Sequence, residues 1–341
     1  MRRVRRAATI DDVAREAGVS RQTVSNVLNA PGIVRESTRE RVRLAIDRLG
    51  YAPHASARRL RTQRSSTIGV HLDPFAGGIS GVVLDRFVHA LTERASDRGL
   101  RVLVYSAGSP EEEIARLRDL REGGEIDAAV ITGTFSGDPR IGWLDARGLP
   151  YVSFGRPWGS ETSDAPLHLW VDVDGAAGTR AATEHALVTA GATVAFLGWP
   201  AGSATGDDRE RGWREALVAA GAEEGARLFA EEDVQAARQV TLRALDAGEP
   251  DAIVCASDTL AVGAHLAAVS VGLAELPIIG FDNTPVAEAL GLSSVEQRPE
   301  KVAGGVLELL MGDSGRVVAP RADASDAAPS HVLVTPRLVV R

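Results

Sequence analysis

The chain has 341 residues, 44% of them hydrophobic and 25% charged, with a formal net charge of −8 and a single cysteine, Cys255. It is long enough for more than one domain and has the composition of an ordinary globular protein. One cysteine excludes an internal disulfide, and no apolar run approaches the roughly eighteen residues a membrane span needs.

The charge is unevenly divided. Residues 1–64 carry 15 Arg and no Lys against 6 acidic residues, a balance of +9, which leaves −17 on the other 277. A basic head on an acidic body predicts that only the head meets a polyanion. The opening "MRRVRR" starts like a signal peptide, but Asp11, Asp12 and Glu16 stand where an apolar run should follow. No export signal is read, and a cytoplasmic location is expected.

Three short helices follow in the head. "TIDDVAREAG" opens on Thr9 with Asp12 three residues on, the spacing of a capping box, and stops at Gly18. A second helix restarts after Ser20 in "SRQTVSNVLN", so the first two helices are close neighbours that must cross steeply. "STRERVRLAIDRLG" predicts a third, with Ser37 and Glu40 as its capping pair and Gly50 as its stop. Ile10, Val13, Ala14, Val24, Val27 and Leu28 can close a small core with Val42, Ala45, Ile46 and Leu49. At about 100° per residue, Arg21, Gln22, Ser25 and Asn26 form the opposite, polar stripe of the second helix.

Helix, tight glycine turn, helix is the helix-turn-helix arrangement, whose second helix enters the DNA major groove. There Arg21 suits the O6 and N7 edge of guanine, Gln22 the N6 and N7 edge of adenine, and Asn26 a further base or a phosphate. The competing reading is a stripe that merely solvates a surface helix.

"TIDDVAREAGVSRQTVSNVLN", "STRERVRLAIDRLGYAPHASARRLR" and "TIGV" together resemble the N-terminus of the LacI/GalR transcriptional regulators. The resemblance implies a helix-turn-helix domain at 1–51 and DNA contacts from Thr9, Ser20, Arg21, Gln22, Thr23, Ser25, Asn26, Asn29, Tyr51, His54, Ala57 and Leu60. It also implies a hinge at 52–64 that becomes helical on operator binding. In that hinge Leu60 would wedge into the minor groove, trading base stacking for a kink. Two positions depart from the family: Asn26 stands where Arg is commonest, and His54 where Asn is.

From Thr67 onward strands and helices alternate. Strand-like runs are "TIGVHLD", "RVLVYSA", "DAAVITG", "YVSFG", "LWVDVD", "TVAFLGW", "AIVCAS", "PIIGFD" and "HVLVTPRLVV". Helices are predicted at 85–98, 111–122, 176–190, 208–220, 234–246 and 259–272. Cys255 reads as a core residue. Apolar strands under crossover helices imply an α/β, doubly wound parallel sheet, and so many strands imply two lobes. The polar "RPWGSETSDAPLH" reads as the crossover. That places one lobe at about 65–165 and 296–325 and the other at about 166–295 and 326–341, with a loop in the second half of Met311–Ser330. Such sheets bind ligands beyond the carboxyl ends of their strands, here in the cleft between lobes.

The resemblance continues through "VDVDGAAGTRAATEHALVTAG", "DDRERGWREAL", "CASDTLAVGAHLA", "IIGFDNTPVAEAL" and "SSVEQRPEKVAG" to "LVTPRLVVR". It implies a periplasmic-binding-protein-like fold and a sugar or related effector that alters operator affinity. It assigns Arg209 as donor to ligand hydroxyls, Asp282 as acceptor from a hydroxyl pair and Trp170 as a cover for the ligand face. Asp73, Phe75, Arg156, Ser257 and Gln297 are further effector candidates, while Asp258 reads as a helix cap. "DPFAGGISG" departs from the family's proline-asparagine-aromatic loop, which leaves the ligand's chemistry open between a sugar and another metabolite such as a nucleoside.

No metalloprotease, Walker, dinucleotide or serine-nucleophile motif is present, so no enzyme activity, cofactor or metal is expected. Glu231 and Glu232 read as a solvated carboxylate pair rather than as a hydrolase dyad. A solute-binding protein, the other alternative, would need no basic head. One short recognition helix covers few base pairs, so a homodimer on palindromic double-stranded DNA is expected, with a tetramer also compatible.

Overall fold

The computed structural model describes residues 8–51, 65–72, 79, 81–159, 168–191, 193–248, 250–311, 317 and 330–341. The chain divides into two compact units, residues 1–65 and 66–341.

The first unit holds α1 (Ile10–Ala17), α2 (Arg21–Asn29), a 3-10 turn at Pro31–Ile33 and α3 (Glu36–Leu49). The Thr9 hydroxyl accepts the Asp12 N–H, and the Asp12 carboxylate accepts the Thr9 N–H at 2.9 Å, closing the predicted capping box. Hydrogen bonds from the Thr9 side chain, then its backbone, hold the Asp12 carboxyl below the usual range. Gly18 takes the left-handed conformation at φ 61°, which an L side chain resists, and Ser20 caps α2 through the Thr23 N–H. Val13, Val24 and Val42 are fully buried with Ala14, Ala17, Val27 and Ala45 around them.

Two expectations fail here. α3 begins at Glu36 with Arg35 before it and no side-chain cap, so Ser37 and Glu40 form no box. The turn at 31–33 brings the chain in one residue earlier, placing Ser37 inside the helix. Leu28 and Leu49 are exposed rather than core, because helices this short bury only the centre of the apolar stripe. Ile46 and Tyr51 close the edge of the core instead.

The second unit contains two six-stranded sheets. The first lobe's sheet is built from β1 (Thr67–Leu72), β2 (Arg101–Ser106), β3 (Ala128–Thr132), β4 (Tyr151–Phe154), β5 (Trp170–Val173) and β11 (His331–Val334). Its order is β11-β5-β4-β3-β1-β2, and every pairing is parallel. The second lobe uses β6 (Val194–Gly198), β7 (Arg227–Phe229), β8 (Ala252–Cys255), β9 (Ile278–Phe281), β10 (Ser293–Glu296) and β12 (Arg337–Val339). Its order is β12-β10-β9-β8-β6-β7, parallel except for β12 against β10.

Helices α4 (Gly81–Asp97) and α12 (Pro299–Met311) cover one face of the first sheet through Phe87, Leu91, Val302 and Val306. α5 (Pro110–Glu122) and α6 (Pro139–Arg147) cover the other through Leu117 and Leu144. Alternate residues of β3 serve the two faces: Ala128 and Val130 one, Ala129 and Ile131 the other. α7 (Gly175–Thr189), α8 (Ala204–Ala220), α9 (Val234–Asp246), α10 (Asp258–Ser270) and the short α11 (Pro285–Ala289) belong to the second lobe. There Trp213, Phe196, Leu260 and buried Cys255 share one core. α7 and α8 approach so closely that a Cβ on Gly212 would lie 2.1 Å from the Ala176 carbonyl oxygen.

The lobe boundaries differ from the expected ones. β5 pairs with β4 in register Ser153↔Trp170, so the chain leaves the first lobe after β5, where Asp174 caps α7, and not in 156–168. "HVLVTPRLVV" is two strands in different sheets, parted at Thr335–Pro336. Pro336 has no N–H to continue a ladder. Residues 170–173 and 331–334 therefore belong to the first lobe. A third crossing lies at Gln297–Arg298, between β10 and α12. No helix among the described residues is long and apolar enough to cross a membrane.

Candidate nucleic-acid interface and ligand cleft

On α2, Arg21 and Gln22 are exposed and Ser25 and Asn26 half-buried, as the helical period requires. The Gln22 amide donates to Asn26 Oδ1 at 3.0 Å, which joins the two side chains. Arg21 Nε stands 4.0 Å from Asp11 Oδ1, both side chains well exposed. The Ser20 and Thr23 hydroxyls lie 2.9 Å apart, next to the capping contact. Thr9 is occupied in the α1 cap, and Tyr51 packs against the helical core, so both reach a partner only at the edge of this face. Asn29 ends α2. His54, Ala57 and Leu60, like Asp73 and Phe75 of the body, lie outside the described residues.

In the second unit a cavity of about 230 Å³ opens at the carboxyl ends of the strands, between the lobes. The first lobe contributes Thr132, Thr134, Phe154 and Trp158, the second Thr205, Asp208 and Arg209, and the crossings Asp172 and Gln297. Arg209 comes from the second turn of α8 and is 6% exposed. Its guanidinium lies 3.8 Å from the Phe281 ring centroid and donates to the Ala256 carbonyl. Asp282 Oδ1 stands 4.0 Å from Arg209 Nη1 and accepts from Gln297 Nε2 at 2.6 Å. The turn that places this carboxylate holds Asp282 and Asn283 at φ 114° and 50°, both strained for L residues. Burial pushes the Arg209 guanidinium below its usual pKa, opposed by the charges of Asp282, Glu232, Asp172 and Asp208. Its Nε is buried with no hydrogen-bond partner among the described residues.

Arg156 lies just after β4, in the first lobe. It donates to Asp172 at 2.6 Å and to the Val173 carbonyl at 3.2 Å, and its Nη2 lies 3.5 Å from Asp208. Burial raises the Asp172 carboxyl, and the Arg156 charge opposes that rise. The same guanidinium lies 4.7 Å from the Trp158 ring centroid.

Four predicted effector residues therefore belong to one site: Arg209 and Gln297 line the cavity, Asp282 is bonded to Gln297, and Arg156 is bonded to Asp172 of the lining. Two do not. Trp170 begins β5, at the end of the parallel sheet opposite the cleft, and stacks on His331 at 4.4 Å. It lies outside the cavity lining because a strand's first residue cannot serve its carboxyl end. Ser257 is fully buried and caps α10, accepting from the Leu260 N–H and donating to Glu232 at 2.8 Å, so its hydroxyl is structural. Asp258, expected as a cap, is the first residue of α10 and instead accepts from the Thr284 N–H before α11 and from the Ser294 hydroxyl of β10. Sequence reading missed Trp158, Asp172 and Asp208 of the lining, and Trp199 beside Arg209. Trp199 follows the carboxyl end of β6, the position where open α/β sheets bind ligands, and that rule could have found it.

Residues 9–54 match the family described as bacterial regulatory proteins of the lacI family, and residues 185–341 match the periplasmic-binding-protein-like domain. The HTH-type transcriptional regulator CelR of Thermobifida fusca is 31% identical over 99% of this chain and 98% of its own. The solved CelR–cellobiose complex is similar with a TM-score of 0.68 at 28% identity, covering 98% and 99% of the two chains. The Lac repressor dimer bound to operator and an anti-inducer gives 0.79 at 25% identity, over 98% of each chain. Regulators of this kind match both units in the same order and nearly end to end, and the chain belongs to the LacI family of DNA-binding, ligand-responsive transcriptional regulators.

Proposed function

We propose that this chain is a repressor of carbohydrate-metabolism genes, that its effector is a sugar held between the lobes, and that it acts in the cytoplasm without enzymatic activity of its own. The observation that carries the effector site is Arg209, whose buried Nε–H has no partner among the described residues beside the Asp282–Gln297 pair. An unsatisfied buried donor costs about 1–3 kcal/mol, and a ligand hydroxyl would relieve it. Arg209 then donates, Asp282 accepts, and Gln297 holds the carboxylate in place. The cellobiose-bound CelR structure and the similar ribose operon repressor support a sugar over a nucleoside.

On the DNA side, α2 lies in the major groove, with Arg21, Gln22 and Asn26 on base edges and Ser20, Thr23 and Ser25 toward the backbone. Two copies read the halves of a palindrome. The ligand changes the angle between the lobes, and that change alters how the paired 52–64 segments meet the operator.

Arg209→Ala and Asp282→Ala should abolish the effect of a sugar on operator affinity while leaving sugar-free operator binding within about twofold. Fluorescence anisotropy with and without ligand checks this. A normal ligand response in either variant overturns the assignment.

A further inference from the structure

The second lobe's wall continues beyond Arg209. Trp199 packs on the first turn of α8, where a Cβ on Gly206 would lie 3.0 Å from its ring, and its centroid is 5.3 Å from the Arg209 guanidinium. Its indole N–H donates to Glu232 Oε2 at 2.6 Å, the oxygen that also accepts from Ser257. The ring's tilt and the carboxylate's position are thus fixed together, while Glu232 itself is exposed. An aromatic plate beside an anchored acceptor suits a sugar ring, whose C–H face covers the indole while its hydroxyls donate to the carboxylate.

Size and charge narrow the occupant. The inner cavity of about 230 Å³ falls below the roughly 300–1,000 Å³ of ordinary ligand pockets and is open on one side, which suits a ligand that extends beyond it. Arg209 is surrounded by the charges of Asp282, Glu232, Asp172 and Asp208, and Arg156 is already joined to Asp172. An anionic ligand would enter against the like charge of these four carboxylates, with the Arg156 guanidinium already paired. Neutral hydroxyls meet no such opposition.

We propose that Trp199 and Glu232 form an outer subsite continuous with the inner Arg209–Asp282–Gln297 site, and that the effector is an uncharged carbohydrate of at least two rings. The inference rests on the carbohydrate reading above.

Calorimetric titration of the full chain with glucose, cellobiose, maltose and cellobiose 6′-phosphate tests it. At least one disaccharide should bind ten-fold or more tighter than glucose, and the phosphate should weaken cellobiose ten-fold or more. Trp199→Ala and Trp199→Leu should each remove the disaccharide's advantage and leave glucose affinity within twofold. Glu232→Gln, which keeps an acceptor for the indole, should narrow the penalty on the phosphate. Glucose affinity equal to that of both disaccharides, equal losses of glucose and disaccharide in the Trp199 variants, or tight binding of the phosphate each overturn the outer subsite while the carbohydrate reading stands. Failure of all four sugars to bind removes both.

Discussion

Gln22 and Asn26 share a hydrogen bond across one turn of α2, so in the proposed complex they present a single jointed surface to a base pair. Arg21 differs. Its contact with Asp11 is long and exposed, and such pairs contribute only about 0–1 kcal/mol, so the guanidinium can turn to guanine at little cost. Arg21→Ala should lower discrimination at one base position by about 1–3 kcal/mol, measured by selecting bound sequences from a randomised operator pool. An unchanged base preference with uniformly weaker binding would make Arg21 a phosphate contact instead.

Among the elements, the carboxyl ends of β1 and β2 are tied by a buried charge network. Arg140 Nη1 donates to Glu113 at 2.6 Å and Nη2 to Asp138 at 2.6 Å, and the Tyr105 hydroxyl donates to Glu113 at 3.1 Å. His71 lies beside them, with Nδ1 3.7 Å from the Glu113 carboxylate. Burial is the main cause that pushes the Tyr105 phenol far above its usual range, with the Glu113 charge adding to it. Removing Glu113 leaves Arg140 held by Asp138 alone and takes the acceptor from two buried donors, Arg140 Nη1 and the Tyr105 hydroxyl, a loss that outweighs what the contacts contribute. Glu113→Ala should destabilise the body by about 3–5 kcal/mol in urea unfolding. A loss below about 1 kcal/mol would show that water reaches Arg140 once the carboxylate is gone. None of this network is visible in the helical and strand periodicity, because its members come from two strands and two helices separated along the chain.

At the scale of the whole molecule, the +9 head and the −17 body divide the labour. A dimer whose heads neutralise about six to ten phosphates should lose about 10³–10⁵ in operator affinity between 50 and 200 mM salt. A nearly flat salt dependence in anisotropy titrations would refute a contact carried by the head's arginines.

The same division marks what local sequence settles. The α1 and α2 caps at Thr9 and Ser20, the stop at Gly18 and the alternation of strands and helices were legible without coordinates. Each depends on short-range spacing or on a motif. The membership of β5 and β11 in the first sheet, the burial of Ser257, the displacement of Trp170 and the bond between Trp199 and Glu232 were not. Parallel strand partners and buried hydrogen bonds join residues far apart in the chain. Many pairings suit the same apolar run, and only packing of the whole lobe selects one.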